Sequence, residues 1–329
     1  MSTKQKVDAV FQGGGVRGIA FVGAAERVEQ DYEFVNLAGT SAGSIIAGLL
    51  AVGYTAAEIR KELTILNYLD FKDEGPEDKL GLLGKALSLI RELGIYEGDF
   101  FERWYQKLLN KKGKTRFGHV KTDDPDERYR YKVQVVAADL SDQRMLVLPR
   151  DLEGLGIDPD EFPIARAVRM SMSIPLFFEP VKLVDKDKRA HIIVDGGILS
   201  NYPVWLLDDG TPNPPWPTFG FKLTDTPERQ PGVPQPRNIG NPVDYFRALW
   251  DTMFSALDRY HVSTTTGDLQ RSILISTKVK VAGGEKAIQT THFGITKEES
   301  DALYQNGWNK ADEFLKTWDF TQWVKTYRV

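Results

Sequence analysis

The sequence predicts an α/β protein with a mostly parallel central sheet flanked by helices. Two observations near the start of the chain indicate this class. An apolar run at residues 7–11 is followed by a glycine-rich turn and a helical pattern at 19–28. A second apolar run at 34–38 is followed by another glycine turn and an apolar helical run at 45–52. Consecutive strand–turn–helix units are typical of parallel sheets, because a crossover must return the chain to the start of the next strand.

The remaining elements are predicted from periodicity and capping. A helix at 55–66 begins with Thr55 and has Glu58 three residues later, a capping box, and the last helix, at 297–318, begins in the same way at Thr296. Further helices are expected at 80–93, 99–109, 162–172 and 242–262, strands at 131–138, 145–148, 190–194, 218–222 and 271–276, and irregular loops at 119–130 and 224–242.

The length permits one large domain or two small ones. The chain has 329 residues, and neither an internal repeat nor a convincing linker divides it. We therefore expect a single domain over residues 1–329. The N-terminal residues 1–6 are polar, and the longest apolar stretch, at 45–54, is too short to span a bilayer. We expect a soluble protein, cytoplasmic where it is made, with export by another route left open.

Composition excludes several classes of site and partner. The chain has no cysteine, which excludes disulfides, thiolate nucleophiles and cysteine-ligated zinc or iron–sulfur centres. The formal net charge is −4, and the densest basic patch, at residues 111–114, is short enough to be a solvated loop. Nucleic acid is therefore disfavoured as a partner.

The turn at residues 39–43, Gly-Thr-Ser-Ala-Gly, matches a G-x-S-x-G nucleophile elbow. A serine lifted off the end of a strand needs a tight turn, in which Gly39 and Gly43 crowd each other and must lack side chains. Ser41 would also lie at a helix N-terminus, where free N–H groups favour developing negative charge. The alternative is a glycine-rich turn with an N-capping serine. The strand and helix on either side favour the nucleophile.

A serine nucleophile needs a base, and two kinds of residue could supply it. A Ser…Asp…His order would leave His261 or His292 as the base, but neither lies within a recognisable motif. Asp195 ends a predicted strand and precedes two glycines, a position at which carboxylates of parallel sheets face the ligand crevice. Asp-Gly is also a common turn pair. Spacing alone leaves the choice open.

The glycine-rich turn at residues 13–18, Gly-Gly-Gly-Val-Arg-Gly, has two interpretations. A phosphate-binding loop is one, but the acidic residue of a dinucleotide fingerprint and the lysine of a Walker loop are missing. The other is an oxyanion hole, since consecutive glycines expose backbone N–H groups and Arg17 adds positive field. One such donor stabilises a transition state by roughly 3–4 kcal/mol.

Taken together, these motifs resemble the three signatures of patatin-like phospholipases. The signatures are the glycine loop at 13–18, the elbow at 39–43 and the Asp-Gly-Gly at 195–197. Two secondary features agree: the block at 170–178, with its Ser-x-x-x-Pro-x-Phe pattern, and the Asn-Tyr-Pro at 201–203. The block departs mildly from the family in carrying two methionines, at 170 and 172, where small residues are commoner.

The resemblance implies a patatin-like three-layer α/β/α fold. The motifs would span residues 13–203, and residues 217–329 would complete the fold. It also implies a Ser-Asp dyad without histidine, with Ser41 as nucleophile and Asp195 as base, and neither a metal nor another cofactor. The residues assigned to the oxyanion hole are Gly13, Gly14, Gly15, Arg17 and Gly18.

The implied reaction is hydrolysis of a lipid ester through an acyl-serine intermediate. A phospholipase A or lysophospholipase is expected, and alternatives are a neutral-lipid lipase, a transacylase or a non-catalytic lipid- or nucleotide-binding module. A membrane surface would be a peripheral, transient partner, and no protein activator is identified. The loop at 224–242 and the apolar stripe of the following helix would either contact lipid or form core.

Overall fold

A central sheet of eight strands organises the part of the protein that the structure describes. The structure, a computed structural model, describes residues 4–66, 93, 96–208, 210–224, 239–240, 245, 248, 252 and 267–328. The predicted helices at 80–93 and 242–262 and the loop at 224–242 fall almost entirely outside these residues. Their predictions, including that of a lipid-contacting stripe, stay predictions.

The strands of the sheet are β1 Gln5–Phe11, β2 Tyr32–Thr40, β3 Val133–Asp139, β4 Arg144–Leu148, β5 Val181–Val184, β6 Ala190–Asp195, β7 Thr218–Thr224 and β8 Ser272–Ser276. Hydrogen-bonded neighbours follow the path β5-β6-β3-β2-β1-β7-β8, and β4 also pairs with β3. The neighbours β3-β2, β2-β1, β1-β7 and β7-β8 are parallel. A short hairpin, β9 Lys278–Val281 with β10 Gly284–Ala287, follows the last strand.

Helices flank the sheet, as the sequence predicts for an α/β protein. They are α1 Ile19–Asp31, α2 Ala42–Ala51, α3 Ala56–Thr64, α4 Asp99–Lys112, α5 Ile164–Ser171, α6 Lys297–Thr317 and α7 Phe320–Tyr327. Both predicted capping boxes are confirmed, because Thr55 and Thr296 each accept the backbone N–H of a glutamate three residues later, whose carboxylate accepts their own N–H. None of the helices within the described residues is long and apolar enough to cross a bilayer.

One end of the sheet is antiparallel, which the sequence analysis did not anticipate. Strand β6 runs antiparallel to both β3 and β5. Asp195 therefore ends a strand, as predicted, but the assumption that this strand is parallel is wrong. Periodicity reports which residues are buried and carries no information on strand direction. Strand β5, which has four residues, was not among the predicted strands.

Strands β2 and β6 lie end to end along one edge of β3. Thr40, the last residue of β2, pairs with Val136, and Asp195, the last residue of β6, pairs with Ala137. Strand β4 pairs with the same stretch of β3 and therefore occupies its opposite edge. Since β2 is parallel and β6 antiparallel to β3, their carboxyl ends point towards each other. The fold thus brings the elbow and the Asp-Gly-Gly turn together.

The core lies on both faces of the sheet and under the helices. All seven residues of β3 are buried, and Phe11 of β1 stacks on Phe221 of β7 with ring centroids 4.4 Å apart. Helices α1 and α6 approach through two glycines: a methyl group built on Gly23 would overlap the carbonyl oxygen of Tyr304, and one built on Gly307 would overlap that of Ala20. Helix α6 therefore packs closely against α1, the helix that follows the glycine loop.

Candidate active site

Ser41 occupies the sharp turn between β2 and α2. Its backbone has φ 52° and ψ −126°, a conformation that residues with side chains rarely adopt. A methyl group built on Gly39 would overlap the backbone of Gly43, and one built on Gly43 would overlap the carbonyl of Phe11. The crowding expected of a nucleophile elbow is therefore present, and it explains why both flanking residues are glycine. Ser41 is only 4% exposed.

Hydrogen bonds on both sides hold this turn. The Ser41 N–H donates to Oγ of Ser171 at 2.9 Å, and that hydroxyl donates to the Val136 carbonyl at 2.6 Å. The Ser41 carbonyl accepts the backbone N–H of Ser44 at 2.9 Å and its hydroxyl at 2.6 Å. These bonds fix the backbone of Ser41 and leave its hydroxyl available to a neighbouring base.

Asp195 lies at the carboxyl end of β6 and is fully buried. Its N–H donates to the Ser173 carbonyl at 2.8 Å, and its Oδ1 accepts the Gly197 N–H at 2.8 Å. Its Oδ2 is also buried, and it has no hydrogen-bond partner of standard geometry among the described residues. One carboxylate oxygen is thus used to fix the side chain, and the other remains free for a proton.

Burial raises the pKa of Asp195 to about 7, while the Ser41 hydroxyl and the Gly197 N–H act in the opposite direction. Thr40 pairs with Val136 and Asp195 with Ala137, so the strand register brings the serine that follows Thr40 close to this carboxyl group. A carboxyl group with a pKa near neutrality can accept a proton from a serine and release it again at physiological pH. The structure therefore brings the predicted nucleophile and the predicted base together.

The residues of the glycine loop differ in how their N–H groups are used. The Gly13 N–H donates to the Asn201 carbonyl at 2.9 Å, and the Val16 N–H donates to the Thr290 carbonyl at 3.1 Å. In the described part of the chain, no protein acceptor is recorded for the N–H groups of Gly14 and Gly15. Of the predicted oxyanion-hole residues, these two have N–H groups free to bind a ligand.

The other two residues of the predicted oxyanion hole contribute to the shape of the loop. Arg17 turns back on the loop, with its Nε donating to the Gly14 carbonyl at 3.1 Å. Gly18 caps α1, and a methyl group built on it would lie 3.1 Å from Cβ of Ala42, the residue after the elbow serine. The loop and the elbow therefore pack directly on each other.

No hydrogen bond between Ser41 and a histidine is present among the residues that the structure describes. His119 accepts the Thr115 N–H at 3.0 Å, and His292 lies 3.3 Å from a carboxylate oxygen of Glu299. His261, the other candidate from the Ser…Asp…His order, lies outside the described residues. Among the described candidates for the base, Asp195 is the one placed beside the serine.

His191 belongs to a separate buried cluster. Its Nδ1 lies 2.7 Å from Asp139 Oδ2 and its Nε2 lies 3.2 Å from Asp185 Oδ2. Burial disfavours the charged imidazole, but these two carboxylates raise the pKa of His191. Ligand atoms of Asp139, Asp142 and His191 lie within 4.8 Å of one another, a spacing that a metal ion could use. With the imidazole already bonded on both sides, the geometry is that of a buried ion-pair network.

Sequence reasoning missed three residues that contact the site. Ser171 binds the elbow, Asn201 binds the glycine loop, and Thr290 accepts a hydrogen bond from the same loop. Ser171 and Asn201 lie within the two secondary motifs noted above, so a signal for them existed. Thr290 lies in a loop far along the chain, and nothing in its local sequence indicates the contact.

A strained serine at the end of a strand, facing a buried carboxyl group and a loop of glycines, is an arrangement of α/β hydrolytic enzymes. A family model described as patatin-like phospholipase matches residues 9–208. The chain therefore belongs to the patatin-like phospholipase family, and this membership supports a lipid hydrolase function.

Known proteins are similar over nearly the whole chain. The uncharacterized protein YqhO of Bacillus subtilis (strain 168) is 36% identical over 315 residues, covering 95% of this chain and 99% of that protein. The crystal structure of VipD from Legionella pneumophila matches 100% of this chain and 70% of its own, at 17% identity and a TM-score of 0.53. The type III effector protein ExoU matches 98% of this chain, which spans 54% of that protein, at 13% identity and a TM-score of 0.51. The two structures support the fold.

Proposed function

We propose that the protein is a lipid acyl hydrolase, of phospholipase A or lysophospholipase type, that cleaves carboxylic esters with a dyad of Ser41 and Asp195. The observation that carries the proposal is the end-to-end meeting of β2 and β6 on one edge of β3. This meeting supports the proposal because it brings the elbow close to the buried carboxyl group of Asp195, whose pKa burial raises to about 7. A serine alone is a weak nucleophile at neutral pH, and this carboxylate supplies the base that it needs.

In the acylation step, the Ser41 oxygen attacks the ester carbonyl carbon as Asp195 takes the hydroxyl proton. The resulting tetrahedral adduct carries its negative charge on the former carbonyl oxygen. The N–H groups of Gly14 and Gly15 and the N-terminus of α2 are the donors suited to that charge. When the adduct collapses, the bond to the alcohol oxygen breaks, and the protonated Asp195 gives its proton to the departing alcohol.

Deacylation repeats these steps with water as the nucleophile. Asp195, now ionised again, takes a proton from the water as its oxygen attacks the acyl carbon. The second tetrahedral adduct releases the Ser41 oxygen, which recovers the proton from Asp195, and the fatty acid leaves. One carboxyl group thus accepts and returns a proton in both halves of the cycle, a role for which a pKa near neutrality is well suited.

A lipid substrate is supported by family membership and by an apolar cluster that follows Ser173 along the chain. Ser173, whose carbonyl holds Asp195, leads into a group of aromatic rings. Phe177 stacks on Phe293 with centroids 5.2 Å apart and contacts Tyr96 at 4.8 Å. Leu176, beside them, is an exposed large apolar residue. We infer that Leu176 and the half-buried Phe177 contact acyl chains and that the protein works transiently at a membrane surface.

The test uses a fluorophosphonate, which labels only an activated serine, and vesicles of a phosphatidylcholine. The expected result is covalent labelling of the wild-type protein at Ser41 and release of fatty acid, with both lost in Ser41→Ala. Mass analysis of the lipid products identifies the acyl position that is cleaved. A folded wild-type protein that neither reacts with the probe nor releases fatty acid or another acyl product would contradict the proposal.

A further inference from the structure

Asn201 carries a side-chain amide that has no partner in the described part of the protein. The residue is 6% exposed, and its Oδ1 is buried without a hydrogen bond. Its Nδ2 also has no hydrogen-bond acceptor among the described residues. Leaving a buried polar group unpaired typically costs about 1–3 kcal/mol, so most native structures avoid it. An unpaired amide that is kept in a buried position therefore needs a physical explanation.

The amide lies at the predicted oxyanion loop, next to the elbow serine. A methyl group built on Gly13 would overlap Asn201 Oδ1 and would lie 3.3 Å from Ser41 Cβ. The side chains of Asn201 and Ser41 therefore meet across the α-carbon of Gly13. Only glycine at position 13 leaves room for this approach.

The backbone around Asn201 is held firmly by both neighbouring motifs. Its carbonyl accepts the Gly13 N–H at 2.9 Å. The carbonyl of the preceding Ser200 accepts the Thr40 hydroxyl at 2.9 Å, and the Ser200 N–H donates to the Gly196 carbonyl at 2.9 Å. Bonds from the glycine loop, the end of β2 and the Asp-Gly-Gly turn thus fix the backbone that carries this amide, which has no partner of its own among the described residues. Such preorganisation is expected of a group that binds a ligand.

We propose that Asn201 is a further catalytic residue, whose Nδ2 donates a hydrogen bond to the ester carbonyl oxygen as it becomes the oxyanion. This inference rests on the proposed ester hydrolysis at Ser41. The Gly13 N–H is already used by the Asn201 carbonyl. The side-chain amide of the same asparagine replaces the donor that the loop loses at Gly13. Side-chain amides serve this purpose in other oxyanion holes.

The test compares wild type with Asn201→Leu, which keeps the approximate volume and removes the amide. We expect kcat to fall about 100- to 1000-fold with KM nearly unchanged, the loss typical of one oxyanion donor. The rate of fluorophosphonate labelling should fall as well, because phosphonylation builds a similar charge. The melting temperature should stay constant or rise, because an unpaired amide has been removed.

Asn36→Leu is the matched control. Asn36 is also buried, but its Nδ2 donates to Asp8 Oδ1 at 2.9 Å and its N–H donates to the same atom at 3.0 Å. Removing this amide leaves Asp8 without one bond, so the melting temperature should fall while kcat of the folded enzyme is kept. Asn201→Asp, which keeps the shape and removes the donor, should lose kcat as Asn201→Leu does.

Two outcomes would overturn the inference while the hydrolase proposal stands. In the first, Asn201→Leu keeps kcat and the labelling rate within about twofold of an active wild type. In the second, it loses thermal stability as the Asn36 variant does and keeps kcat per folded molecule, which marks a structural role. A wild-type protein without any serine reactivity would instead remove the proposed function, and this inference with it.

Discussion

The backbone N–H of Ser41 donates a hydrogen bond to the side-chain oxygen of Ser171, with 2.9 Å between the two atoms. Two residues later, the carbonyl of Ser173 accepts the N–H of Asp195 at 2.8 Å. The end of α5 is therefore bonded to both members of the proposed dyad. The buried guanidinium of Arg169 in turn binds the Ser173 hydroxyl. This short stretch therefore helps the sheet to hold Ser41 and Asp195 in position relative to each other.

Ser171→Ala is expected to lower kcat about 10- to 100-fold, because the buried Ser41 N–H then loses its acceptor and the elbow can shift. KM should change little, since Ser171 does not face substrate in the proposed mechanism. Steady-state kinetics on a soluble short-chain ester measure both constants. Ser171→Thr keeps the hydroxyl and should recover part of the rate. An alanine variant as active as wild type would show that the bond does not position the serine.

Ser41→Gly should raise the melting temperature and abolish hydrolysis. The φ of 52° at Ser41 is strained for a residue with a side chain, and glycine adopts it at little cost, a gain of roughly 1 kcal/mol. Ser41→Ala removes the same hydroxyl but keeps the strain, so it should be inactive with a melting temperature close to that of wild type. Thermal unfolding of the three proteins measures the difference. Residual turnover in either purified variant would reject Ser41 as the nucleophile.

Asp195→Asn should remove activity, whereas His292→Ala and His261→Ala should each keep most of it. The asparagine cannot accept the serine proton, and His292 lies against Glu299. Initial rates on the same ester, with circular dichroism to verify folding, give the comparison. A histidine variant that is folded but as inactive as Asp195→Asn would replace the proposed dyad with a triad.

The pH dependence of activity should follow the ionisation of Asp195. With its pKa raised from 3.8 to about 7, the base is protonated in acid, so kcat/KM should rise with pH through an apparent pKa near 7. A profile of kcat/KM from pH 5 to 9, about two units on either side of 7, measures it. A flat profile across this range would show that another group, or none, supplies the base.

The same ionisation has a consequence for stability that Asp195→Asn can reveal. The folded protein binds the proton more tightly than the unfolded chain does, so ionising Asp195 costs stability as pH rises from about 3.8 to about 7. The uncharged asparagine avoids this cost. The melting temperature of Asp195→Asn relative to wild type should therefore be higher at pH 8 than at pH 5, a range that spans most of this window. Equal differences at the two pH values would contradict the raised pKa.

Local signals in the sequence predicted much of the fold. The two strand–turn–helix units, the capping boxes at Thr55 and Thr296 and the strand at 145–148 all depend on neighbouring residues or on simple periodicity. The antiparallel direction of β6 could not be predicted in this way. It depends on how the chain crosses between β3 and β6, and the intervening segments carry no pattern that fixes the crossing.

In the candidate site, too, local motifs could be predicted from the sequence and contacts between distant segments could not. Ser41 and Asp195 were predicted because each lies in a local motif, but their partners come from distant segments. Ser171 bonds to the backbone of Ser41 and of Val136, and Thr290 accepts the N–H of Val16, and all these partners are far away in the sequence. The environment that raises the pKa of Asp195 is likewise created by burial, which exists only in the folded chain. The sequence therefore indicates the candidate reactive groups better than it indicates the residues that position them or the burial that sets their pKa.

The close approach of α1 and α6 at Gly23 and Gly307 joins two parts of the chain that are far apart in the sequence. Neither position tolerates even a methyl group unless the backbones of α1 and α6 separate. A larger residue at either glycine would require α6 to move away from α1. A second substitution at the facing glycine could not make room, because no residue is smaller than glycine. Position 307 lies beyond the matched residues 9–208. A paired glycine there would therefore distinguish relatives that share this helix packing from those that share only the three motifs.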